Sequence, residues 1–408
     1  MTGFWLLWSA AVVSRFGDAL RGAALPLVAV RLTDDPLVVA SVTACGYVPW
    51  LLFGLVGGAV ADRVDQRRAM WVVDVVRGVL VAGFAVAVGA GEASVGLLLG
   101  LAFALTSLQT LFDNAATALL PAVVGKEQLG GANARLMTGQ QVAGGLVAAP
   151  VVALLVGAGV AVPFVVDAVT YFVAAGLIAS LGVRPPEREP RAAGSTLRGE
   201  IGEGVRVLWR DPVLRGASVA NLLCNVGMSA LIATLVLHVT RWLDAGDAGY
   251  GAVLTAFSVG AIAGGFVAQR IGRWLGRARA LMVCGAVQVV ALGCVGSVRH
   301  LVAAVGGMLV FGVMNMVWNV NEVTLTQERS PEGMLGRISA AGRTAAYVGT
   351  PFGALLGGVV ARAFGLNVPA LMAAVLVGLA VVSLIPAGKA DVPVGASRDG
   401  VTTGRVPG

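Results

Sequence analysis

From Val38 to Ala61 the chain runs without a single charged residue, and from Leu97 to Leu108 it does so again. Apolar runs of about 20 residues match the thickness of a bilayer's hydrocarbon. Within that hydrocarbon only the chain itself can satisfy its backbone N–H and C=O groups, so such runs fold as helices or as a closed barrel. The runs lack the period-2 alternation of barrel strands, which leaves helices. Composition agrees, because 12% of the 408 residues are charged and 57% are hydrophobic, whereas soluble chains carry about 25% charged residues. The expected fold class is an all-α membrane protein.

Breaks at charged or Pro/Gly-rich points predict twelve helices, at 4–31, 36–61, 69–90, 94–121, 134–157, 160–182, 213–240, 248–269, 279–298, 301–327, 338–361 and 366–386. Asp35-Pro36 and Asp211-Pro212 each place a capping carboxylate before a proline at the first helical position. The segment Gly57-Gly58, followed by Asp62, Arg63, Arg67 and Arg68, recurs in outline at Gly264-Gly265, followed by Arg270 and Arg273. That recurrence predicts two related six-helix bundles, residues 1–182 and 213–386, with a linker at 183–212 and a disordered tail at 387–408. In the linker, Leu197, Ile201, Val205 and Leu208 recur at helical spacing among charges, the pattern of a short helix lying on a membrane surface. Glycines that allow close helix approach are predicted at Gly54, Gly57 and Gly58 of the second helix and at Gly260, Gly264 and Gly265 of the eighth.

Orientation follows from the 29 Lys and Arg. With the N-terminus inside, only Arg31, Arg241, Arg299 and Arg362 fall in outer loops, while Arg15, Arg21 and Arg77 fall within spans. The rest crowd the inner side, which places both termini in the cytoplasm by the positive-inside rule. The net charge of +7 is then a topological signal, and no nucleic-acid partner is expected. The first apolar stretch continues past Arg15 and reads as a retained helix rather than a cleaved signal. Cys45, Cys224, Cys284, Cys294, His238 and His300 form no metal-ligand spacing. Neither a metal nor a cofactor is expected, and no nucleophile–base set suggests an enzyme.

Charged groups inside spans cost about 2.5–3.5 kcal/mol each even on lenient scales, so they face a partner or a cavity. Arg15, Asp18 and Arg21 are three residues apart and share one side of the first helix. At 1.5 Å rise per residue, Asp18 and Asp167 lie roughly 20 Å from the inner end, and Arg77 and Asp113 roughly 12 Å. Equal depth predicts an Arg77–Asp113 structural ion pair. A carboxylate whose surroundings alternate between wet and dry can take up a proton on one side and release it on the other. Asp18 is the first candidate for that role and Glu322, flanked by Asn319 and Asn321, the second. Asp167 either shares it or hydrogen-bonds across helices. Trp50, Phe53, Phe257, Met228, Met314, Met316 and Trp318 are candidates to line an apolar, adaptable cavity.

Twelve helices, a six-plus-six repeat and a central cytoplasmic loop resemble the major facilitator superfamily. That family's loop pattern G-x-x-x-D-R-x-G-R-R/K is matched at Gly58, Asp62, Arg63 and Arg67, with departures at Asp65 and Gln66. Further pieces resemble its drug- and siderophore-exporting branch, which includes macrolide and enterobactin exporters. They are Ser14-Arg15-Phe16-Gly17-Asp18, Phe112-Asp113-Asn114-Ala115, Leu119-Leu120-Pro121, Ala132-Asn133, Asp167-Ala168 and Gly336-Arg337. The exporters' Gly-rich stretch in helix five is only partly kept, as Gly144, Gly145 and Pro150. The resemblance implies alternating access, with Asp62, Arg63 and Arg67 latching a cytoplasmic gate. A plain topology signal is the other reading of that loop.

No G-x-x-x-x-G-K-[ST] motif occurs, so any transport is expected to be secondary, with the proton as coupling ion. The leading expectation is a monomeric exporter of a lipophilic small molecule, such as a drug, antibiotic or siderophore, in a bacterial inner membrane. An importer or uniporter of the same fold and a non-transporting scaffold or sensor are the alternatives.

Overall fold

A computed structural model describes residues 2–50, 52, 65–124, 129–182, 206, 209–329 and 335–385. Gly54, Gly57, Gly58, Asp62 and Arg63, most of the linker and the tail lie outside the described residues. The described residues are almost entirely helical, with no strand among them. The first half comprises α1 (Thr2–Leu32), α2 (Pro36–Cys45), α3 (Gln66–Gly89), α4 (Val95–Val124), α5 and α6 (Val162–Ala179). Helix α5 runs Leu129–Gln141, widens into a π-helical segment Val142–Val147 and continues as Ala148–Ala158. The second half comprises α7 (Pro212–Leu237, continued by a π turn His238–Trp242), α8 (Gly246–Leu275), α9 (Arg277–Ser297), α10 (Leu301–Arg329), α11 (Leu335–Phe364) and α12 (Val368–Ser383).

Each predicted segment overlaps a described helix, although α2 ends at Cys45 and most of the predicted stretch after Trp50 lies outside the described residues. Local chemistry sets several of the starts. Asp35 Oδ1 accepts from Leu37 N at 2.9 Å, and Asp211 Oδ1 from Val213 N at 2.7 Å. Both satisfy first-turn donors that a proline at the first helical position leaves fewer of. Asp65, where the family pattern has glycine, caps α3 by accepting from Arg68 N at 2.9 Å. Seven described helices are long and apolar enough to cross a membrane, and Pro36–Trp50 and Val368–Ser383 are shorter apolar helices.

Helix α6 packs on both α1 and α3, with α4 against α3. In the other half α8 packs on α10, α7 on α11 and α12, and α9 on α10 and α12. The α8–α10 seam is the tightest. A Cβ on Gly260 would overlap the Leu309 carbonyl, and one on Gly264 the Val313 carbonyl, so the two backbones touch. Gly265 differs from expectation. It is exposed, and a Cβ there would come no nearer than 3.9 Å to Met316 Cγ. A helical turn of 3.6 residues puts neighbours 264 and 265 on different faces. The glycines of α8 therefore fasten helices within one half of the molecule.

The two halves meet through α2 with α11 and α7, α5 with α8, and α1 with α7. These contacts gather at the face away from the chain termini. There Gly358 of α11 sits against α2, where an added Cβ would fall 2.7 Å from Ala40 Cβ and 2.9 Å from Leu37 Cα.

Overpacking a close seam costs about 1–3 kcal/mol. Gly264→Val is therefore expected to lower the thermal midpoint in detergent, whereas Gly265→Val, on the exposed side, leaves it unchanged.

Candidate functional site

Six polar side chains from three helices converge inside the first bundle. Helix α1 supplies Asp18 and Arg21, α3 supplies Asp74 and Arg77, and α6 supplies Asp167 and Tyr171. Spacing of three or four residues puts each pair on one helix face. Gly17 lets α6 close onto α1, since a Cβ there would overlap Thr170 Oγ1 and Asp167 Oδ1.

Asp18 Oδ1 is the hub. It accepts from Arg21 Nη2 at 2.6 Å, from Arg77 Nη2 at 3.0 Å and from the Tyr171 hydroxyl. Arg21 Nε reaches Asp167 Oδ2 at 2.8 Å, and its Nη2 lies 3.3 Å from Tyr171 Oη. Arg77 Nη1 contacts Asp74 Oδ1 at 3.4 Å, and its guanidinium carbon lies 4.2 Å from the centre of the Tyr171 ring. Charge-assisted bonds of this kind are about twice as strong as neutral ones, and in an apolar medium they are what makes burial of the charges tolerable.

Two properties of the cluster bear on what it can do. Asp18 and Arg21 keep 14% and 13% side-chain exposure while Asp74 and Asp167 have 0%, so the cluster opens only on its α1 side. Three carboxylates face two guanidiniums, and Asp74 Oδ2, Asp167 Oδ1 and Arg77 Nε have no hydrogen-bond partner. One proton would balance the charge, and two carboxylate oxygens are free to carry it.

Of the residues singled out from sequence, Asp18, Asp167 and Arg77 belong to this cluster. The predicted Arg77–Asp113 pair does not form. Arg77 turns toward α1 and bonds Asp18 and Asp74, while Asp113 Oδ1 accepts from Gln109 Nε2 at 2.7 Å on its own helix. Arg15 makes no ion pair among the described residues. It is exposed, and its place in the cluster is taken by Arg21. Glu322 is half-buried on α10 of the other bundle. Arg67 donates to the Ile178 and Ala179 carbonyls at the end of α6, tying the base of α3 to it, and Arg68 is exposed. Asp74 and Tyr171 went unnoticed in the sequence. Their signal is the spacing Asp74–Arg77 and Asp167–Tyr171 on apolar helices.

Toward the termini, a cavity of about 780 Å³ lies between α1 and α5, walled by Trp5, Trp8, Val12, Phe16 and Val142, with Arg135 and Thr138 as its polar margin. The Trp8 indole donates to the Arg135 carbonyl at 3.0 Å. The π-helical segment forms part of the wall, as such segments often do at functional sites. Phe53 lies outside the described residues, and none of the other aromatic or methionine residues picked from sequence lines this cavity. Trp318 is buried in the second bundle, and Phe257 stacks on Phe311 at 6.0 Å.

The opposite face is closed by ion pairs that join the two bundles. Arg31 Nη2 meets Asp247 Oδ2 at 2.6 Å, Arg362 Nη1 meets Asp35 Oδ2 at 3.3 Å, and Arg241 binds both Asp34 and the Val30 carbonyl, the latter at 2.8 Å. Among the described residues, cross-bundle ion pairs thus join the halves at the face away from the termini, and the cavity of the first bundle lies toward the termini.

The sequence pattern of the Major Facilitator Superfamily matches residues 7–354. The chain belongs to that superfamily. Two relatives within it are enterobactin exporters EntS. The one from Citrobacter koseri is 28% identical over 92% of each chain, and the one from Shigella boydii is 27% identical over 87% of this chain and 85% of its own. Among solved structures, a bacterial homologue of the human lysosomal transporter Spinster, inward-facing and unoccupied, superposes with TM-score 0.73 at 13% identity, covering 95% of this chain and 97% of its own. A bacterial homologue of the iron transporter ferroportin, also inward-facing, gives 0.70 at 16% identity, covering 95% and 98%. At those identities the likeness is one of fold. The protein is a multi-pass membrane transporter of the superfamily.

Removing one partner of a buried pair costs about 3–5 kcal/mol. Arg77→Met is expected to lower the thermal midpoint sharply, and Asp74→Leu added to it restores part of the loss. At the opposite face, Arg241→Gln removes two bonds between the bundles. Exposed pairs contribute about 0.2–1 kcal/mol each, so the variant is expected to shift spin-label distances between α1 and α7 toward a wider separation, by a change in population of about 2- to 30-fold.

Proposed function

We propose that this protein exports a lipophilic small molecule, a drug, antibiotic or siderophore, from a bacterial cytoplasm in exchange for protons. Its bundles, residues 1–182 and 213–386, rock around a shared cleft. The observation that carries the reading is the closure of one face: cross-bundle ion pairs join the halves away from the termini, and among the described residues an apolar cavity of the first bundle lies toward the termini. With both termini cytoplasmic, as the basic loops indicate, this is the state that loads cargo from inside. Export is supported by the whole-length likeness to two proteins named as exporters. The walls of Trp5, Trp8 and Phe16 suit a bulky amphipathic molecule better than a sugar or phosphate.

The charge cluster supplies the coupling. In the loading state Asp18 accepts three hydrogen bonds, the arrangement of an ionised carboxylate. A proton arriving from the far side converts Asp18 Oδ1 from acceptor to donor and loosens its hold on Arg21 and Arg77. Asp74 Oδ2 and Asp167 Oδ1, which have no donor, can then share that proton. Re-forming the bonds expels it inward. Each charge moving down 100 mV supplies about 2.3 kcal/mol, which sustains roughly a 50-fold gradient of a neutral cargo.

In everted vesicles energised by respiration, a fluorescent lipophilic dye such as Hoechst 33342 is expected to accumulate, and a protonophore to abolish the accumulation. Asp18→Asn is expected to cut the rate at least tenfold with normal protein levels. Uptake that survives the protonophore would sink the coupling. Accumulation by intact cells rather than everted vesicles would reverse the direction.

A further inference from the structure

The two bundles repeat one another closely enough to be matched residue by residue. Gly17 of α1 abuts Asp167 Cα and Gly227 of α7 abuts Ala373 Cα, with an added Cβ at 3.1 and 3.2 Å respectively. Helices α6 and α12 both open Val-Pro, at Val162-Pro163 and Val368-Pro369. Buried Met70, Val73, Asp74, Arg77 and Val81 of α3 have the spacing of buried Leu281, Cys284, Gly285, Gln288 and Leu292 of α9. Buried Phe112, Ala115 and Leu119 of α4 likewise match Trp318, Asn321 and Leu325 of α10.

Through this match Asp18, Arg77, Asp167 and Tyr171 correspond to Met228, Gln288, Ala373 and Val377. All four counterparts, together with Trp318, line one enclosed cavity of about 30 Å³. Where the first bundle is filled by ionised side chains, the second substitutes neutral and mostly shorter ones and leaves space. Two hydrogen-bond donors border that space without a protein partner. They are Gln288 Nε2 and Trp318 Nε1, on residues 3% and 4% exposed. An indole nitrogen can only donate, and a buried donor left unpaired is costly enough that native proteins rarely keep one.

The size and chemistry of the cavity restrict what satisfies these donors. A space of this volume holds one water-sized group. No ionised side chain lines it, so a charged guest would be buried without a counter-charge. Asn315 also lines it, and its Oδ1, which accepts from Asn319 at 2.9 Å, keeps a second lone pair for a proton of the guest. We propose that the second bundle carries, at the repeat-equivalent of the charge cluster, a neutral site for one water molecule that bridges Trp318, Gln288 and Asn315.

The site is tested on the full chain in lipid nanodiscs with ¹⁵N-labelled tryptophan, the Trp318 indole resonance being assigned by its loss in Trp318→Phe. The expected result is a cross-relaxation peak between the Trp318 indole proton and water in the unmodified protein. Gln288→Met is expected to weaken that peak and to lower the thermal midpoint by at least about 2 °C. A dry cavity gives the opposite sign, because the same substitution then removes an unpaired donor and the midpoint holds or rises. Absence of the water peak in the unmodified protein overturns the proposal whatever the variant does.

Discussion

A carboxylate inside a bilayer is tolerable only when its charge is answered at once, and Asp18 Oδ1 is answered three times over. The arrangement of the first bundle follows from that need. Arg21 comes from the same helix, Arg77 from α3 and Tyr171 from α6, so satisfying one oxygen fixes the relative height and rotation of three helices. Lipid offers little hydrophobic incentive for helices to associate. Here electrostatics provides the specificity that packing provides in the second bundle, where the backbones of α8 and α10 meet at Gly260 and Gly264.

The two halves also differ in what they can exchange with their surroundings. The cluster of the first bundle holds three carboxylates against two guanidiniums and an opening on its α1 side; the second bundle holds amides and an indole at the equivalent position. The repeat thus keeps its backbone arrangement while one copy is filled by ions and the other by neutral side chains. Glu322, half-buried on α10, stands apart from that equivalent site.

Much of the architecture was legible before any coordinates. Long uncharged runs fixed helices, Asp-Pro pairs fixed two of their starts, and the doubled glycine-and-arginine segment pointed to a repeat. Asp18, Asp167 and Arg77 stood out because a charge in an apolar helix needs a reason. Their partners did not stand out. Helical rise gives depth, so Arg77 and Asp113 looked well matched, but which way a side chain points around the helix depends on neighbours that sequence spacing does not reveal. The same limit misplaced Gly265 beside Gly264. Asp74 was legible in principle, one turn before Arg77. The π-helical widening at Val142–Val147 and the closure of one face by Arg31, Arg241 and Arg362 depend on how the bundles dock, which no local pattern encodes.

That closure lies in water. Arg31 and Asp247 remain 50% and 37% exposed, and Arg362 and Asp35 62% and 31%. Mobile ions screen such contacts over about 8 Å at physiological strength. The hold of the two bundles on each other at that face therefore loosens as the ionic strength of the bathing medium rises and tightens as it falls.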